Sequence, residues 1–145
     1  MSPATEYLRR VAACDALVTH WDGRPFAWGQ ADCTILAAVA VWFVTGREVM
    51  KDWPAYSDQA GALKALKAQG FESLPKAVDA FTAGRWPAGG MALPGDVLAL
   101  PSQHRRLPTL GAALTDGRAI WSLDGRFVVG TLPATEPRLM AWRVV

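Results

Sequence analysis

The stretch "ILAAVAVWFV", residues 35–44, constrains this chain more than any other, because ten consecutive apolar residues leave no polar face. It is too short to cross a bilayer, which takes roughly 20 apolar residues in a helix. Asp32-Cys33 in front of it and Gly46 behind it set the limits of a helix over 33–45, the glycine supplying the left-handed stop. A helix that is apolar all round needs other elements on every side. The expected fold therefore puts it at the centre.

Other helices are available in the front half. Residues 4–20 read as an amphipathic helix ended by Asp22-Gly23. Ser57 can cap a third helix running to Gln69 before Gly70, and Ser73 with Pro75 in the first turn opens a short fourth that ends near Gly84. After "RWPAGG" the apolar pattern alternates, which places strands near 96–100, 110–114, 118–122, 126–130 and 138–144. Asp116-Gly117 and Asp124-Gly125 sit between apolar runs, a strong hairpin signal, and predict a three-strand antiparallel meander from about Leu110 to Gly130. The expected class is α+β, with N-terminal helices packed on a C-terminal antiparallel sheet. At 145 residues and with no internal repeat, residues 1–145 form a single domain in this reading.

Composition excludes several function classes. Hydrophobic residues make up 51% and charged residues 19%, which argues against disorder. The 15 basic and 13 acidic residues are spread along the sequence, so no nucleic-acid partner is expected. The opening "MSPATEYLRR" is polar with no apolar segment behind it; the expectation is a chain made in a reducing cytoplasm, with no signal peptide and no membrane insertion. The two cysteines form no CxxC pair and no His-x-x-x-His is present, so no metal and no cofactor is expected. Cys14 falls in step with Tyr7, Val11 and Val18 on the first helix and reads as packing.

Cys33 is different, because it stands behind a Trp-Gly-x-x-Asp turn at the first position of the apolar helix. That turn, followed by a Gly-Asp-Val strand start ("PGDVLAL") and an "LGAAL" strand, resembles the NlpC-type cell-wall cysteine peptidases, papain-related endopeptidases of peptidoglycan. More closely, "PFAWGQADC…TG…PGDV…LG…DG" is similar to a family of small proteins encoded among tail genes of bacteriophages and prophages, from about Arg24 to the C-terminus. The resemblance implies an NlpC/papain-like fold, with Gly29 freeing the turn and Asp32 capping the helix. Cys33 would then be the candidate nucleophile, its thiolate favoured by the unpaired N–H groups of the helix start.

The sequence departs from that pattern where a base belongs. The family's His-Val-Gly-Ile-Tyr strand matches "TLGAA", which puts Thr109 at the base position, and the orienting position falls on Trp121 or Ser122. The two histidines are His20, near the end of the first helix, and His104 in "PSQHRRLP", the weaker candidate base. General-base assistance is typically worth about 10²–10⁴ in rate, and threonine does not supply it near neutral pH. The resemblance then implies a pseudoenzyme: a structural or assembly subunit of a phage tail tip, located in the virion tail and contacting the neighbouring tail-hub and fibre proteins.

The second reading is an active tail-associated peptidoglycan endopeptidase that opens the cell wall during DNA entry, with Cys33 as nucleophile and His104 as base. A cytoplasmic thiol acyltransferase or amidase on the same fold needs the same missing base. Trp28, Trp53 and Trp86, in turn-like or proline-flanked segments, are candidates for a partner interface as well as for the core.

Overall fold

The computed structural model describes residues 2–86, 92–100, 102, 104–132, 136 and 138–145. Helices α1 (Pro3–Trp21), α2 (Cys33–Thr45), α3 (Gln59–Ala68) and α4 (Leu74–Phe81) come first. Strands β1 (Arg85–Trp86), β2 (Val97–Leu100), β3 (Thr109–Ala113), β4 (Arg118–Leu123), β5 (Arg126–Thr131) and β6 (Met140–Trp142) follow. They form one antiparallel sheet in the order β1-β6-β2-β3-β4-β5. The chain is thus α+β, helices before strands.

Local chemistry explains most of the boundaries. Ser2, Asp32, Asp58 and Ser73 each accept a backbone N–H from the first turn of the helix they precede. Gly46, at φ +78°, ends α2 in the left-handed region. The expected cap Ser57 is replaced by Asp58, whose Oδ1 accepts from Gly61 N at 2.7 Å; the helix starts one residue later, beyond the serine's reach. Both hairpin turns carry two residues at positive φ, Asp116 (60°) with Gly117 (69°) and Asp124 (52°) with Gly125 (81°). That is the type I′ geometry whose twist suits paired strands. The meander extends one strand further than expected, because β2 pairs with β3 on one side and with β6 on the other. The two-residue β1 was not anticipated; it is too short to show a period.

Alternation splits the sheet into two apolar faces. Val97, Ala99, Leu110, Ala112, Ile120, Phe127 and Trp142 point to the helices and pack with Leu17, Leu36, Ala37 and Val41. Leu98, Ala113, Ala119 and Ala141 lie on the other face with Trp121. Trp121 fits there because Gly130 beside it has no side chain: a Cβ on that glycine would stand 2.8 Å from the indole.

Two expectations are corrected. The buried stripe of α1 is Arg10, Ala13, Cys14, Leu17 and Trp21, so it ends one turn short of Tyr7, which is 50% exposed. Helix α2 is covered by α1 and the sheet, but not on every side. Trp42 is 47% exposed, and with Ile35 and Val39 it lines an open groove whose other wall is the 48–56 segment.

The buried charge on α1 anchors the Gly-Asp-Val motif. Arg10 Nη1 donates to Asp96 Oδ1 and to the Pro94 carbonyl, both at 3.1 Å, and Nη2 donates to the Val144 carbonyl. The Asp96 carboxylate also accepts from Arg143 Nε (2.8 Å), Leu93 N (2.9 Å) and Val144 N (3.0 Å). A buried ion pair is sustained only when its remaining donors and lone pairs are bonded, and here the carboxylate is surrounded by donors. The network joins α1, the entry to β2 and the segment after β6.

Candidate functional site

The Trp-Gly turn is locked before α2 begins. Ala27 and Ala31 exchange backbone hydrogen bonds at 2.8 and 3.0 Å, and Phe26 N donates to the Gly125 carbonyl, fixing the turn to the β4–β5 hairpin. Gly29 sits at φ +75°, and a Cβ on it would lie 1.8 Å from the Tyr56 carbonyl oxygen, so the 54–56 segment passes where only glycine leaves room. Asp32, fully buried, spends both carboxylate oxygens here: Oδ1 accepts from Ile35 N (2.9 Å), and Oδ2 accepts from Gly29 N (2.9 Å) and the Tyr56 hydroxyl (2.6 Å). One side chain therefore caps the helix, closes the turn and ties down the crossing segment.

Cys33 follows directly and opens onto a cleft of about 320 Å³ lined by Trp28, Thr34, His104, Thr109 and Ser122 among others. The candidate nucleophile and the candidate base are in the same cleft, with both strand positions singled out by the sequence. Of the two orienting candidates, alternation sends Trp121 to the outer face and Ser122 to the cleft.

The electrostatics of the thiol run against the expected activation. Burial pushes Cys33 up to about 11, and the charge on Asp32 adds to this, while a hydrogen bond with the Leu110 backbone opposes it. The helix-start effect on a thiol is real, but at this site loss of solvent and the neighbouring carboxylate outweigh it. The thiol also donates to the Pro108 carbonyl, at 4.0 Å. Among the described residues no hydrogen bond joins Cys33 to His104.

His104 is committed elsewhere. Its Nδ1 accepts the backbone N–H of Arg106 at 3.3 Å, and its own backbone N–H and carbonyl both bond the Ser102 hydroxyl. With Nδ1 serving as acceptor, the neutral ring carries its hydrogen on Nε2. Neither nitrogen is then a free base for the thiol in this arrangement. His20 stands in the last turn of α1, exposed and outside this cleft.

Residues 8–144 match the family model of a domain of unknown function, DUF6950. The chain belongs to this family. No curated protein and no solved structure matches it.

In this DUF6950 chain Trp28, Trp53 and Cys14 make contacts within the fold. Trp28 meets Phe26 edge-on at 5.0 Å and lines the cleft. Trp53 stacks on Phe71 (6.3 Å) and meets Phe81 (6.0 Å). The side chain of Trp86 lies outside the described residues. Cys14 is buried as expected, its thiol donating to the Ala113 carbonyl at 3.5 Å; burial first, then Asp15, raises it to about 11. No helix is long and apolar enough to cross a membrane among the described residues.

Sequence reasoning missed Tyr56, Arg10 and Trp42. Tyr56 carries no local signal, because its partner is 24 residues away. Arg10 interrupts an apolar stripe on the buried face of α1, a cue that a buried anion is waiting for it. Trp42 was hidden by the all-round apolar character of α2.

Proposed function

We propose that this DUF6950 chain is a catalytically silent relative of the NlpC-type cysteine peptidases, serving as an assembly subunit of a bacteriophage tail tip. The observation that carries the silent reading is the hydrogen-bonding state of Cys33. The thiol donates to the Pro108 carbonyl and not to His104, and Thr109 stands at the position that the resemblance gives to histidine, so no base is placed to take its proton. The cleft is kept while its proton chemistry is absent, which favours binding over cleavage. The tail assignment rests on the motif string from Pro25 to Gly117, and the partners it calls for are neighbouring tail-hub and fibre proteins.

A second reading is favoured by one specific observation: His104 lines the same cleft as Cys33. Released from the Arg106 N–H, its ring is the base that an active peptidoglycan endopeptidase requires. Digestion of purified peptidoglycan separates the two. The silent reading expects no muropeptides from wild type, and fragments that vanish in both Cys33→Ala and His104→Ala establish the enzyme. Tail assignment is tested separately, by mass spectrometry of purified virions from an induced host. Absence of the chain from tails, with all known tail proteins detected, rejects it.

A further inference from the structure

Folding gathers charges that are scattered in the sequence. Lys64 and Lys67 on α3 and Arg106 in the 104–107 turn face one concavity of about 660 Å³, floored by Leu63 and Phe71, with Glu72 at its side. The turn is held in place by Leu74 N donating to the Arg106 carbonyl at 2.8 Å and by Leu107 N donating to His104 O at 3.1 Å. Its His104 and Leu107 line the Cys33 cleft, so one turn forms a wall of both hollows.

Three cations against one carboxylate is an imbalance, and none of the three makes an ion pair among the described residues. A cation in the last turn of a helix is favoured by the dipole alone, which accounts for Lys67. It does not account for Lys64 or for Arg106, which comes from another element. Lys64 and Lys67 are three apart on one helix and so project side by side.

We propose that this concavity docks an acidic peptide segment of a partner protein, whose carboxylates pair with Lys64, Lys67 and Arg106 while apolar side chains rest on Leu63 and Phe71. The hollow is wider than a single phosphate requires, and its apolar floor suits a chain with alternating side chains. A nucleic-acid strand fits less well. Three cations at one hollow do not make the extended basic stripe that a phosphate backbone follows, and the 15 basic and 13 acidic residues of the chain are spread along the sequence. The inference is independent of whether Cys33 is active.

The test is fluorescence anisotropy with a labelled peptide of alternating Glu and Leu, its Gln-for-Glu counterpart, a labelled oligothymidine, and inorganic phosphate as competitor. The expected result is saturable binding of the Glu peptide that weakens with salt, is absent for the Gln peptide, and survives phosphate. Lys64→Glu/Lys67→Glu/Arg106→Glu should lose about tenfold or more in affinity, as reversed charges at a docking rim do. The milder Lys64→Gln/Lys67→Gln, checked for native folding, should weaken binding in the same direction, and Cys33→Ser should not change it. No saturable binding, unchanged affinity in both charge variants, displacement by phosphate, or tighter binding of oligothymidine would each overturn the proposal.

Discussion

The Tyr56 hydroxyl donates to the Asp32 carboxylate at 2.6 Å, so the segment before α3 is bonded to the residue that starts α2. The same carboxylate oxygen receives Gly29 N, and burial together with this bond raises the tyrosine well above its ordinary range. The geometry of the Cys33 cleft therefore depends on a side chain outside the Trp-Gly-x-x-Asp motif. Tyr56→Phe should cost about 1–3 kcal/mol in urea unfolding, because a buried carboxylate loses a donor. A midpoint equal to wild type would mean that water replaces the hydroxyl.

Gly29 and Gly23 share a backbone conformation but not an environment. Both have positive φ, 75° and 79°, yet a Cβ at Gly23 meets nothing within 4 Å while one at Gly29 meets the Tyr56 carbonyl at 1.8 Å. Gly23→Ala should cost about 1 kcal/mol, the left-handed penalty. Gly29→Ala must also move backbone, and should cost about 3 kcal/mol or more. Paired thermal melts check the difference; equal losses would show that the crossing segment yields freely.

Removing the carboxylate from the buried network should be severe. Asp96→Ala leaves the Arg10 guanidinium, 1% exposed, with only the half-exposed Glu6 carboxylate at 3.4 Å as counter-charge. The expected cost is about 3–5 kcal/mol, read from denaturant unfolding. Arg10→Met should cost less, since Arg143 still pairs with Asp96.

Alkaline pH should destabilise the fold through its thiols. Burial raises both Cys14 and Cys33 from 9.0 to about 11, so in that window the folded chain keeps protons that the unfolded chain has released. The stabilisation is present below pH 9.0 and is lost as pH climbs toward 11. In Cys14→Ala/Cys33→Ala, the fall in urea midpoint between about pH 8 and about pH 11 should be shallower than in wild type. Parallel curves would place the alkaline loss on other groups.

What could be read in the sequence was local. Asp32 and Gly46 delimit α2 within one turn of their own positions, and Asp-Gly pairs dictate hairpins through their own φ angles, so these were legible. Arg10 and Asp96 meet across 86 residues, and Tyr56 reaches Asp32 across 24, with no periodicity to announce either contact. The cleft was half legible. The resemblance put Cys33, Thr109 and either Trp121 or Ser122 at one site, but the protonation state of the thiol depends on burial and on the Asp32 charge in the folded chain.

The central claim, that Cys33 is a protonated and unassisted thiol, is tested most directly by its rate of alkylation with iodoacetamide as a function of pH, measured in Cys14→Ala. Slow labelling at neutral pH, a midpoint near 11 and no change in His104→Ala are expected. A midpoint below about 7, the range of activated thiols, that moves upward when His104 is removed would contradict it.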